Sequence, residues 1–266
     1  MDTASVDSTL SPLAVLAVDD HAINREFLRA GLGDSVARLD VVDSGPAAIE
    51  CCRRRVYDVI LMDLHMPQMD GLATIHRIRD LDTHSARTRM VILTADARPE
   101  ERMRLLAEGF DAYLNKPLSI IELKRALWGL FAPAQAHSTR TESHQTGSEP
   151  LIDPDRVDAV ALGNPDTAAD LGRMLSRELE QKLPLLDQML AERQIDQAAA
   201  LLHQWTGAGG FAGALRFSRE CGILRRRLLD PATSSTGAAY LQFLRIAHAT
   251  RQALETGMGH ARTQTE

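Results

Sequence analysis

Three carboxylates, a hydroxyl and an ammonium stand at the ends of short apolar runs. Asp19 and Asp20 follow "LAVLAV", Asp63 closes "DVILMD", Thr94 lies near the end of "MVILTA", and Lys116 closes "AYLNK". Three like charges gathered in one place are unfavourable unless a cation sits among them. An all-oxygen donor set with few committed side chains suits Mg²⁺, which keeps several waters and binds phosphate oxygens. A carboxylate is also a competent nucleophile. A second reactive candidate is His203, in "LLHQWTGAGGFAGAL", just ahead of Gly207, Gly209, Gly210 and Gly213. Near neutral pH much of an imidazole is an unprotonated nucleophile. Each glycine inside a helix costs roughly 1 kcal/mol relative to alanine. Either the helix ends there, or something requires those side chains to be absent.

The elements that must position these groups differ between the two halves of the chain. From 13 to 131, five apolar runs (13–18, 39–43, 58–63, 90–95 and 112–116) alternate with five segments of helical spacing. These are "INREFLRAGLG", "GPAAIECCRRR", "GLATIHRIRDL", "PEERMRLLAEG" and "SIIELKRALWGLF". That alternation predicts an α/β domain, a doubly wound five-stranded parallel sheet covered on both faces. Ligands of such sheets bind beyond the carboxyl ends of the strands, which is where the candidate groups fall. The "MDG" at 69–71 reads as a turn and helix entry.

This half resembles the receiver domain of two-component response regulators, through "VLAVDDHAINREFL", "YDVILMDLHMPQMDGL", "VILTADA" and "YLNKPL" in order. The resemblance implies that Asp63 receives a phosphoryl group. It implies that Asp20, Asp63 and the backbone carbonyl of His65 hold Mg²⁺, with Asp19 assisting through water. Thr94 would hydrogen-bond the phosphoryl group, Lys116 would pair with it, and Lys116–Pro117 would be a cis peptide. Tyr113 matches the aromatic residue that changes orientation with phosphorylation. Phosphoryl transfer asks mainly for positioning and charge neutralisation, which a metal and a lysine supply.

Residues 132–150, "APAQAHSTRTESHQTGSEP", have the composition of a flexible linker. Beyond them helical periodicity continues to about 257 with no convincing strand, which predicts an all-α antiparallel helical bundle over 151–257. Pro184 predicts a kink or break in the long run around it. Residues 1–12 are expected to be disordered and 258–266 to form a frayed tail. On a helical wheel Ile195, Ala198, Leu202, Trp205 and Gly209 form the core stripe, and His203 falls about 120° from its centre. His203 is therefore expected to point outward, with Gly207 and Gly210 clearing space for a partner and Gly209 admitting a neighbouring helix.

The segment "LLHQWTGAGGFAGALRFSREC" resembles the signature of histidine phosphotransfer (HPt) domains, four-helix bundles that carry a phosphoryl group on a histidine. His203, Gly207, Gly213 and Ala214 match in spacing. Trp205 and Thr206 stand where that family usually has leucine and lysine, so a positive charge beside the histidine is missing. The run from Gly207 to Ala212 also fits a dinucleotide fingerprint, but that motif must follow a strand, and here a helix precedes it.

Composition closes off other classes. Of 266 residues 44% are hydrophobic and 25% charged, a soluble globular mix, and the formal net charge of −6 argues against a general nucleic-acid binder. The helical half holds 13 basic against 14 acidic residues and offers no recognition helix for DNA. No apolar run approaches a membrane span of about 18 residues, and the N-terminus lacks a signal peptide's features. Cys51, Cys52 and Cys221 are expected to be reduced thiols of a cytoplasmic protein.

These features predict a phosphorelay component without a stand-alone kinase domain, catalysing its own aspartyl phosphorylation. Its partners would be a sensor histidine kinase and other receiver domains, with no DNA and no direct membrane insertion. In the alternative, the helical domain is a degenerate, non-phosphorylated module that binds a partner under control of the receiver.

Overall fold

The computed structural model describes residues 9–81, 88–94, 104–105, 108–116, 118–131, 150–161, 164–230 and 236–262. The chain divides into two compact units, Met1–His144 and Gln145–Glu266.

In the first unit five strands form one parallel sheet: β1 (Ala14–Val18), β2 (Arg38–Val42), β3 (Val59–Asp63), β4 (Arg89–Thr94) and β5 (Ala112–Asn115), in the order β2-β1-β3-β4-β5. The described helices are α1 (Ala22–Leu32), α2 (Gly45–Arg54), α3 (Gly71–Arg79) and α4 (Ile120–Phe131). Every strand lies within a residue of its apolar run. β3 is buried along its whole length, as a central parallel strand must be. Side chains alternate across the sheet. Leu16, Val18, Ile60, Met62, Met90 and Ile92 pack with Ala48, Ile49 and Cys52 of α2 and Ile75 and Ile78 of α3. The odd-numbered residues face the other way, where α1 contributes Ile23, Phe27 and Leu28, and Gly31 lies against Ile120 of α4. Order extends back beyond residue 13: Leu10 is fully buried, and its carbonyl accepts from the Leu13 N–H. The expected helix "PEERMRLLAEG" falls mostly outside the described residues, as does Pro117 with its expected cis bond.

The second unit contributes α5 (Pro154–Ala161), α6 (Pro165–Ala191), α7 (Ile195–Phe211), α8 (Leu215–Leu229) and α9 (Gly237–Arg262), and no strand among the described residues. α6 packs on α7, α7 on α8, α8 on α9 and α9 back on α6. Asn164 caps α6 by accepting from the N–H groups of Asp166 and Thr167. One helix runs through Pro184, so of the kink or break expected there the break does not occur. α9 continues past residue 257 to Arg262. The linker residues 132–149 lie outside the described residues.

Candidate functional site

The acidic pocket forms where the carboxyl ends of β1, β3, β4 and β5 meet. Asp19 and Asp20 follow β1, Asp63 ends β3, Thr94 ends β4, and Lys116 follows β5. Asp19, Asp63, Thr94 and Lys116 are buried, and Asp20 is half-buried. Backbone hydrogen bonds fix the rim: the Asp19 N–H donates to the Val42 carbonyl, and the Lys116 N–H to the Thr94 carbonyl at 2.6 Å.

The Lys116 ammonium reaches across the site. Its Nζ lies 2.6 Å from Asp19 Oδ2 and 3.0 Å from Asp63 Oδ2. One carboxylate oxygen each of Asp19, Asp20 and Asp63 lie within 4.8 Å of one another. The donor set is all oxygen, from three carboxyl groups, which fits a small hard divalent cation. His65 follows on the exposed loop, and its N–H donates to Asp63 Oδ1 at 3.3 Å. Tyr113, on β5, is half-buried and packs against the core on the α2–α3 face.

Burial pushes the Asp63 carboxyl up to about 7; Lys116 pulls it down, and Asp19 and Asp20 push it further up. Burial opposes the Lys116 charge, but Asp19 and Asp63 outweigh it and hold the ammonium above its ordinary value. The pocket is short of positive charge without an added cation.

Sequence reading placed these groups together but missed how tightly the loop after Asp63 is held. Asp70 caps α3, accepting from the Ala73 N–H at 2.7 Å, which realises the helix entry read from "MDG". Gly71 does more. A Cβ there would stand 3.0 Å from Leu64 Cα and would run into the Asp63 carbonyl. Gly71 therefore lets α3 sit directly on the strand end that carries Asp63. Gln68, at φ 65°, makes the reversal in between.

In the second unit the outward placement of His203 does not hold. His203 is buried, 8% exposed, and Gly207 and Gly210, expected to clear space beside it, are buried as well. The one-sided wheel fails because burial on α7 reaches beyond the core stripe: Ala199, Leu201, Ala208 and Gly210 are also buried, and the exposed residues Asp196, Gln197 and Ala200 lie near the start of the helix. It is packed by α5, α6 and α8. Trp205 is core-facing as expected: it is fully buried, stacks on Phe243 at 6.0 Å, and donates from Nε1 to Glu178 Oε1. Thr206 spends its hydroxyl on the Leu202 carbonyl at 2.9 Å.

The glycines have separable jobs. A Cβ at Gly209 would meet Phe217 and Ser218 at 2.7 Å, so Gly209 admits α8 as expected. Gly213, at φ 72°, ends α7 in the left-handed region, and the Ala214 N–H donates back to the Gly209 carbonyl.

Residues 15–127 match the family model of the response regulator receiver domain. With the strand order and the acidic pocket, this establishes that the chain contains a receiver domain. Among curated proteins the chain is similar to the signal transduction histidine-protein kinase BarA of Shigella flexneri, 29% identical over 228 residues. It is also similar to the sensor histidine kinase AruS of Pseudomonas aeruginosa, 31% identical over 228 residues. The alignments cover 84% and 85% of this chain, but only 24% and 22% of those relatives. Among solved structures, the receiver domain of a Pseudomonas aeruginosa sensor histidine kinase, with a magnesium ion in its active site cleft, is 31% identical. That match covers 46% of this chain and all of the other, with a TM-score of 0.42. No described helix is long and apolar enough to cross a membrane.

Proposed function

We propose that this protein is a phosphorelay component in which Asp63 accepts a phosphoryl group from the phosphohistidine of a sensor histidine kinase. The observation that carries the reading is the pocket itself, a buried carboxylate held 3.0 Å from a lysine Nζ beside two further aspartates. An Asp63 oxygen attacks phosphorus as the P–N bond breaks, and the electron pair leaves with the imidazole. An acyl phosphate remains on Asp63. Lys116 and the Thr94 hydroxyl stand at the same strand ends to meet the phosphoryl oxygens. Asp20, Asp63 and the His65 carbonyl would hold Mg²⁺, with Asp19 behind them, and the metal supplies charge neutralisation for the transferring group. Tyr113 would follow the state of the pocket by reorienting.

The second half of the proposal concerns His203. The cyclic packing of α6, α7, α8 and α9, joined by three-residue turns on either side of α7, suits an antiparallel four-helix bundle. An alignment of 228 residues also exceeds the first unit of 144, so the likeness to the kinases runs into the helical unit. In this reading His203 exchanges phosphoryl groups with a receiver, its own or another protein's. Residues 13–131 and 151–257 act as the two domains, with 132–150 between them as linker.

Two observations favour a second reading for that unit. His203 is buried, and Thr206 offers no positive charge. The helical unit would then bind a partner without accepting phosphate. Labelling the full chain with acetyl phosphate and Mg²⁺ separates the readings. Acyl phosphate is lost in alkali, whereas phosphohistidine survives alkali and is lost in acid. The proposal expects alkali-labile label that Asp63→Asn abolishes and alkali-stable label that His203→Ala abolishes. Alkali-labile label alone, even with a cognate receiver present, selects the binding module.

A further inference from the structure

Asp19 is held by more groups than an ion pair needs. Oδ1 accepts from the His21 N–H at 2.9 Å and from Asn24 Nδ2 at 3.0 Å. Oδ2 accepts from Lys116 Nζ at 2.6 Å and from the same Asn24 Nδ2 at 3.1 Å. The Asp19 carbonyl accepts from Arg25 at 2.9 Å. Both neighbours on α1 grip the same residue, Asn24 by its carboxylate and Arg25 by its carbonyl.

Asn24 is unusual in its other half. The residue is 3% exposed, and its Oδ1 is buried with no hydrogen-bond partner among the described residues. Buried polar atoms almost always have partners, and an exception at a functional site calls for an explanation. An amide that spends its donor on the pocket's carboxylate and keeps a buried acceptor free is suited to a water molecule beside it.

We propose that Asn24 is a positioning residue of the acidic pocket: its Nδ2 fixes the Asp19 carboxylate against Lys116, and its Oδ1 accepts from a water of the metal's hydration shell. Asp19 is thereby committed to Lys116 and to shell water, leaving Asp20 and Asp63 as the carboxylates that contact the cation. Outer-shell partners of this kind typically change metal affinity by 10–100-fold when removed.

The inference rests on the Mg²⁺ reading of the pocket, and the test separates the two. Mg²⁺ is titrated into the metal-free full chain by calorimetry, with no phosphodonor present, for wild type, Asn24→Ala and Asn24→Ser. Circular dichroism checks that each is folded. Asn24→Ala is expected to weaken Mg²⁺ binding at least 10-fold while remaining folded. Asn24→Ser keeps a shorter polar group and is expected to fall between the two. In acetyl phosphate labelling, Asn24→Ala is expected to raise the half-saturating Mg²⁺ concentration while excess Mg²⁺ restores the rate. A purely structural role would lower the melting temperature and leave the Mg²⁺ dissociation constant unchanged. Wild-type affinity in the folded variants overturns the inference alone; should Asn24→Ala not fold, Asn24→Ser decides it. Absence of Mg²⁺ uptake by the wild type overturns the metal site and the inference with it.

Discussion

Replacing Asp63 by asparagine should stabilise the metal-free protein while abolishing its chemistry. Burial raises the Asp63 carboxyl from an ordinary 3.8 to about 7. In the folded state the carboxylate is therefore disfavoured relative to the unfolded chain, by up to about 4 kcal/mol once fully ionised. The folded state binds the extra proton between about pH 4 and pH 7. Stability contributed by protonated Asp63 is thus complete below pH 4, is lost as pH rises through about 7, and stays lost above. Asparagine mimics the protonated group in shape and charge, so Asp63→Asn should remove this dependence. At pH 8 without metal the gain should be about 2–4 kcal/mol, which moves the midpoint of a unit this size by roughly 10 °C. Near pH 4 the variant and wild type should nearly coincide. Mg²⁺ should raise the wild-type midpoint at pH 8 and narrow the gap. Scanning calorimetry of the full chain measures this through whichever transition responds to Mg²⁺. An Asp63→Asn variant less stable than wild type at pH 8, or an equal difference at pH 4 and pH 8, would show that burial does not disfavour the Asp63 carboxylate.

Four further outcomes follow from the packing and electrostatics of particular residues. Gly209→Ala should destabilise the helical unit by about 1–2 kcal/mol, because overpacking against Phe217 and Ser218 outweighs the gain in helix propensity. Gly129→Ala, where a Cβ meets nothing within 4 Å, should instead stabilise α4 by about 0.5–1 kcal/mol; denaturant titration of both variants checks the pair. In the native protein a thiol reagent should modify half-buried Cys51 first. Cys52 is buried, and burial pushes the Cys221 thiol well up, so both should react only on unfolding, as mass spectrometry of the labelled peptides would show. Mg²⁺ affinity should weaken as pH falls below about 7, by at most tenfold per unit, because the metal and a proton compete for Asp63. Calorimetric titrations at pH 6 and pH 8 measure the difference.

The sheet was legible because parallel strands buried on both faces leave near-continuous apolar runs, and β3, "VILMD", is the clearest. Once the strands are placed, their carboxyl ends name Asp19, Asp20, Asp63, Thr94 and Lys116 without further information. Asn24 was not legible. It lies on an amphipathic helix among residues whose spacing announces only helix, and its role depends on where its two amide atoms point. Gly71 read as a helix entry, but its closeness to the Asp63 carbonyl arises from packing between a helix and a strand end that no spacing encodes. His203 was misplaced for a different reason. Wheel arithmetic assumes that a helix buries one narrow stripe, whereas the small residues from Gly207 to Gly210 let the later turns of α7 be covered on more sides. Pro184 fails to break α6 although it removes one backbone donor, in a helix of 27 residues with Leu179, Leu183 and Leu186 anchored in the core.

The most direct test is to find where the phosphoryl group goes. The full chain is incubated with acetyl phosphate and Mg²⁺, then treated with borohydride, which reduces an aspartyl phosphate to homoserine, and the digest is read by mass spectrometry. Homoserine is expected at position 63 in the wild type, nowhere in Asp63→Asn, and nowhere when EDTA replaces Mg²⁺. Homoserine at another aspartate, or at position 63 undiminished by EDTA, would contradict Asp63 as the Mg²⁺-dependent acceptor.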